Sequence, residues 1–79
     1  MEERIWNVKY DHKDGRAGVV SVVTHIKESG AFRYGNNKYG ILIVGDYRHG
    51  YDLRYNKGDL HKVMINDYFG DGIVEITEI

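Results

Sequence analysis

Seventy-nine residues, a formal charge of −1, and neither cysteine nor proline describe one small domain. The near-neutral charge excludes nucleic-acid binding driven by bulk electrostatics, and the lack of cysteine excludes disulfides and thiolate metal sites. A chain this short buries only roughly 60–65% of the surface that it exposes when unfolded, so its stability margin is thin.

The opening residues, MEERIWNVKYDHKDG, are charged from the second position and lack the apolar run of a signal peptide. The longest aliphatic run, ILIV at 41–44, is far too short to span a membrane. A cytoplasmic location without membrane contact is therefore expected. Charge is uneven along the chain: residues 1–40 carry seven Lys/Arg and five Asp/Glu, whereas residues 41–79 carry four and seven. Such a dipole suits a solvated surface or head-to-tail assembly.

Residues 4–10 alternate, with Trp6, Val8 and Tyr10 on one face and Asn7, Lys9 and Asp11 on the other, which is the period of a half-buried strand. Asp14-Gly15 is a turn signal. The β-branched run GVVSVVTHI at 18–26 then predicts a central strand, antiparallel to the first. In the stretch that follows, glycine stands at 30, 35, 40, 45 and 50. Side chains of a strand alternate with period two, so a glycine at every fifth place switches faces each time and lines nothing. These glycines read as punctuation. Asn36-Asn37 is a candidate type I′ turn, pairing Tyr34 with Tyr39 and Phe32 with Ile41. A second reversal at GDYRHG pairs Val44 with Tyr51 and Leu42 with Leu53, making a three-stranded meander.

The segment DLHKVMINDYF at 59–69 predicts the one helix, capped by Asp59, with an apolar stripe of Leu60, Val63, Met64 and Tyr68 and a stop at Gly70. Asp71-Gly72 turns the chain into a last strand, GIVEITEI. The expected fold is α+β: a small antiparallel sheet of five to six strands with one C-terminal helix before the last strand, or a partly closed SH3-like barrel. Residues 41–44 and the second strand are apolar on both faces, and one helix covers one face only. That predicts barrel closure or a second copy of the chain, and no proline blunts the sheet edges against pairing.

No sequence pattern for catalysis is present. Ser21 and Ser29 lie outside any G-x-S-x-G elbow, and the histidines show no ligand spacing. His12, His49 and His61 are expected on the surface, and His25 on a sheet face. Neither a metal nor a cofactor is expected, and the chain does not read as an enzyme. The local enrichment is aromatic and cationic: residues 31–56 hold five of the seven tyrosines together with Arg33, Lys38, Arg48 and Arg54. Tyr and Arg dominate binding hot spots, and they also stack on bases and pair with phosphates. Cross-strand Tyr–Tyr and Tyr–Arg pairs stabilise sheets as well. The candidate partner- or ligand-binding residues are Arg33, Tyr34, Tyr47, Arg48, His49, Tyr51 and Arg54; a non-catalytic binding protein with a protein partner and self-association is expected, and an oligomeric nucleotide- or nucleic-acid-binding protein is the alternative.

From GNNKYG through YDLRYNKGDL to DYFGDG, the second half of the chain resembles small uncharacterised accessory proteins of phages and mobile elements in Gram-positive bacteria. The resemblance carries no catalytic or binding motif, so no residue roles come with it. It implies a compact accessory factor, for example an inhibitor that binds a host defence protein or sequesters its signalling nucleotide.

Overall fold

The computed structural model describes residues 2–27, 33–46 and 57–79. In chain order these form β1 (Glu2–Asp11), β2 (Ala17–Lys27), β3 (Arg33–Asn37), β4 (Gly40–Asp46), α1 (Lys57–Phe69) and β5 (Ile73–Glu78). The fold is α+β, with an open five-stranded sheet in the order β3-β4-β2-β1-β5. Three strand pairs are antiparallel and one, β2–β4, is parallel.

β1 and β2 make the expected hairpin, in unbroken register from Glu2↔Ile26 to Asp11↔Ala17. Gly15 takes the positive φ, 91°, that the reversal needs. His12 N–H donates to the Arg16 carbonyl at 2.7 Å, closing the turn. Asp14 ties it from the side: one carboxylate oxygen accepts from the Arg16 amide at 3.1 Å, the other from Arg16 Nε at 2.8 Å. The Arg16 amide first, then its guanidinium, hold the Asp14 carboxyl below its ordinary 3.8, against an opposing effect of desolvation. A lowered folded-state value means that this tie contributes above the unfolded value and is lost as pH falls through the folded one. Carboxyl-detected NMR should therefore place the Asp14 midpoint below 3.8. Arg16→Gln keeps the backbone donor and should bring that midpoint only part of the way back. A full return would mean that the guanidinium, not the amide, is the main cause.

The meander is replaced by a different order. β4 does not sit outside β3; it inserts between β3 and β2 and runs parallel to β2, with Val22↔Ile41 and Thr24↔Ile43 in register. The cause lies in the side chains. β4 is apolar on both faces and gains from an interior place, whereas β3, RYGNN, is polar and exposed and tolerates the edge. The partners expected for β4 at 51 and 53 lie outside the described residues. The β3–β4 turn also shifts. Asn37 pairs with Gly40 and Tyr34 with Ile43, so the turn residues are Lys38 and Tyr39 instead of Asn36 and Asn37. Asn37 Oδ1 accepts from the Tyr39 amide at 2.7 Å, an Asx turn that lets Asn37 shape the reversal without a positive φ of its own.

α1 begins at Lys57, which puts Asp59 inside its first turn and not ahead of it. Leu60, His61, Met64 and Ile65, at i, i+1, i+4 and i+5, form the fully buried stripe. They meet Trp6, Val8, Val22, Ile26 and Ile43 from the sheet. Gly70, with φ 67°, ends the helix as expected, its amide donating to the Asn66 carbonyl at 2.8 Å. β5 then pairs with β1, from Trp6↔Glu78 to Tyr10↔Ile73, with one register shift between Lys9 and Tyr10. On the face away from α1, Val23 and Val44 have no solvent exposure within the single chain. Those two positions therefore do not require a second copy to bury them.

Candidate binding site

Alternation puts Tyr10 of β1 on the helix face of the sheet, opposite Gly18 of β2. A Cβ at Gly18 would lie 3.2 Å from the Tyr10 hydroxyl and 3.5 Å from Cζ, so the missing side chain makes room for the tyrosine ring against β2. From there a row of rings runs across the C-terminal end of α1. Tyr10 stacks on Phe69 at 5.9 Å between centroids. Phe69 meets Tyr68 edge-on at 5.0 Å, and Tyr68 meets Tyr34 of β3 at 5.1 Å. At the other end His12 sits 5.4 Å from Tyr10. These spacings lie within the range of favourable aromatic pairs.

The row borders an open cleft of about 350 Å³. Tyr10, His12 and Arg16 line it from the β1–β2 hairpin, Val20 and Ile41 from the sheet, and Tyr68 and Phe69 from the helix end. His12 is fixed from behind. Its Nδ1 lies 3.1 Å from the Asp71 carbonyl, which can only accept, so Nδ1 carries the proton and the neutral ring keeps an acceptor at Nε2. Gly72, with φ 135°, leaves the space this ring fills: a Cβ there would come within 2.5 Å of Nδ1. Arg16 is held at Nε by Asp14. Burial, then the Asp67 charge and Tyr68, raise the Tyr34 phenol above its ordinary 10.0, so it stays neutral at physiological pH.

Behind the hairpin a second cavity of about 390 Å³ shares His12 and Arg16 and is otherwise lined by Asp11, Lys13, Asp14, Asp71 and Gly72. Among the described residues no three His, Cys, Asp or Glu side chains are grouped to hold a metal ion.

Of the candidate residues read from the sequence, Arg33 and Tyr34 are among the described residues, and of these two Tyr34 joins the row. Arg33 is exposed and, as its chain neighbour in a strand, belongs to the opposite face of β3. Tyr47, Arg48, His49, Tyr51 and Arg54 lie outside the described residues. The sequence reading missed Tyr10, His12, Arg16, Tyr68 and Phe69 as a site. Their signal was weak but present: a tight hairpin brings positions 12 and 16 to one end, and the Tyr-Phe pair closes the helix.

His61, expected on the surface, is fully buried. Its Nδ1 lies 2.6 Å from Thr24 Oγ1, and the same hydroxyl accepts from Trp6 Nε1 at 2.7 Å. A tryptophan N–H can only donate, so the hydroxyl oxygen accepts from Trp6 and shares its second hydrogen bond with His61 Nδ1, in the direction that the imidazole tautomer sets. A hydroxyl on a histidine is the geometry of an activated nucleophile. Here both side chains are sealed in the core, so the arrangement cross-links β1, β2 and α1. His25 has its ring on the other face, where Nδ1 lies 3.5 Å from Glu3.

Compared with known proteins, the chain matches no family model, no curated protein and no solved structure. Among the described residues no helix is long and apolar enough to cross a membrane.

Proposed function

We propose that the chain is a non-catalytic binding protein that holds its target on the aromatic row at the C-terminal end of α1. The observation that carries this reading is the row itself, whose Tyr34 and Tyr68 remain 52% and 39% exposed although they stack on each other. Exposed, mutually braced aromatic rings offer contact area at low entropic cost. The sequence resemblance supports one form of the reading, a cytoplasmic accessory factor of a phage or mobile element that inhibits a host defence protein by capture. The concave cleft supports another form, sequestration of a small ligand such as a nucleotide. Self-association belongs to the same proposal, and it is supported by the place of β3 and β5 at the edges of the sheet among the described residues.

Native mass spectrometry of gently purified protein tests the reading. The wild type should carry additional mass, in kilodaltons for a protein target and in hundreds of daltons for a small ligand. Tyr34→Ala combined with Tyr68→Ala should lose that mass while the melting temperature stays within a few degrees. Retention of the mass by this variant would show that the row is not the binding surface.

A further inference from the structure

We propose that the cleft beside Tyr10 and Tyr68 is a mononucleotide site, taking the base among the rings and the single phosphate at Arg16. The proposal rests on the aromatic row being the binding surface and names its ligand class. The size fits, since about 350 Å³ lies at the small end of ligand sites. The lining fits as well. Tyr10, Tyr68 and Phe69 line the cleft with aromatic surface, and every base has a face to stack on such rings. His12, oriented by the Asp71 carbonyl, offers Nε2 to a ribose hydroxyl or an exocyclic amine.

Arg16 supplies the anion contact. Asp14 occupies Nε at 2.8 Å, which orients the guanidinium and leaves its two terminal nitrogens for a forked contact with phosphate. The same carboxylate limits how much negative charge the site accepts. Beyond Arg16 lies the second cavity, where Asp11, Asp14 and Asp71 outnumber Lys13 and Arg16. A monophosphate stops at Arg16, whereas a longer phosphate chain extends towards those carboxylates and is repelled. The site therefore discriminates against di- and triphosphates by charge.

NMR titration of the full chain with AMP, GMP, CMP and UMP, alongside adenosine, inorganic phosphate and ATP, tests this. At least one mononucleotide should shift the ring signals of Tyr10, Tyr68 and Phe69 together with Arg16 Hε. AMP should bind at least tenfold more tightly than adenosine and more tightly than ATP. Arg16→Gln, a change at an exposed side chain, should bring AMP down to the adenosine level, and Tyr68→Ser should weaken both. No shift at these residues with any mononucleotide, unchanged AMP affinity in Arg16→Gln, or ATP binding as tightly as AMP would each overturn the proposal. If nucleotides fail while the tyrosine variants still lose a captured mass, the ligand class falls and the binding surface stands. If those variants keep the mass, the surface itself falls.

Discussion

Thr24→Val should lower the stability of the protein by about 3 kcal/mol, because one hydroxyl serves two buried groups. Without it the Trp6 indole N–H and His61 Nδ1 lose the partner they now reach at 2.7 and 2.6 Å. Each buried polar group left unmatched costs about 1–3 kcal/mol, and the gain from a second methyl offsets only part of that. In a domain of this size each kcal/mol lowers the melting temperature by about 4–8 °C, so a fall of more than 10 °C is expected. Urea unfolding of Thr24→Val, His61→Leu and the double variant provides the check. The double variant should be more stable than the sum of the single losses implies, since removing both partners leaves fewer orphaned atoms. A loss below about 0.5 kcal/mol for Thr24→Val would mean that the buried chain of hydrogen bonds contributes nothing net.

Gly40→Ala should be worse and should leave little folded protein. Gly40 opens β4 with φ 143°, a conformation that side-chain-bearing residues rarely adopt. A Cβ there would also overlap the Ser21 carbonyl group, 2.6 Å from its carbon. The obstacle is backbone, so no rotamer relieves it; β4 would have to move off β2 at the start of their parallel pairing. Total stability for a chain of this length is about 4–12 kcal/mol, and a backbone collision in the centre of the sheet consumes a large part of that. Gly35→Ala is the control, because a Cβ at Gly35 meets nothing within 4 Å and its φ is ordinary. That variant should change stability by no more than about 0.5 kcal/mol. Circular dichroism of the pair separates the two glycines directly. A folded Gly40→Ala protein would show that β2 and β4 are not in the close contact described.

Local signals in the sequence lead to the right element at two glycines and along β1, though not at Asn36-Asn37 or Asp59. Asp14-Gly15 turns, Gly70 stops the helix, and the alternation at 4–10 sets which side of β1 faces α1. Strand order was less legible. Runs such as VVSVVT and ILIV are apolar in both phases, so their periodicity does not say whether neighbours run parallel. What decides is the contrast between apolar β4 and polar β3, which appears only when the two compete for one interior place. His61 was misjudged by residue type. Its position among Leu60, Met64 and Ile65 is that of a core residue, just as Thr24 is in phase with Val22 and Ile26. Each polar side chain supplies the partner that makes burying the other tolerable, and a reading of one segment at a time does not see the pair. The aromatic row is hidden for the same reason: Tyr10 and Phe69 are far apart in sequence, while the denser tyrosines at 31–56 lie in one segment.

The pairing of β1 with β5 has a consequence for how the chain is made. Of the described strands β1 is made before all the others and β5 after them, yet they share a ladder from Trp6↔Glu78 to Tyr10↔Ile73. The β1–β2 hairpin is local and closes early, whereas this ladder waits until residues 73–78 have been made. Throughout synthesis, the side of β1 that β5 will cover presents unsatisfied amides and carbonyls. During that interval a neighbouring nascent chain can add its own strand there, so crowding on a polysome exposes β1 to mispairing.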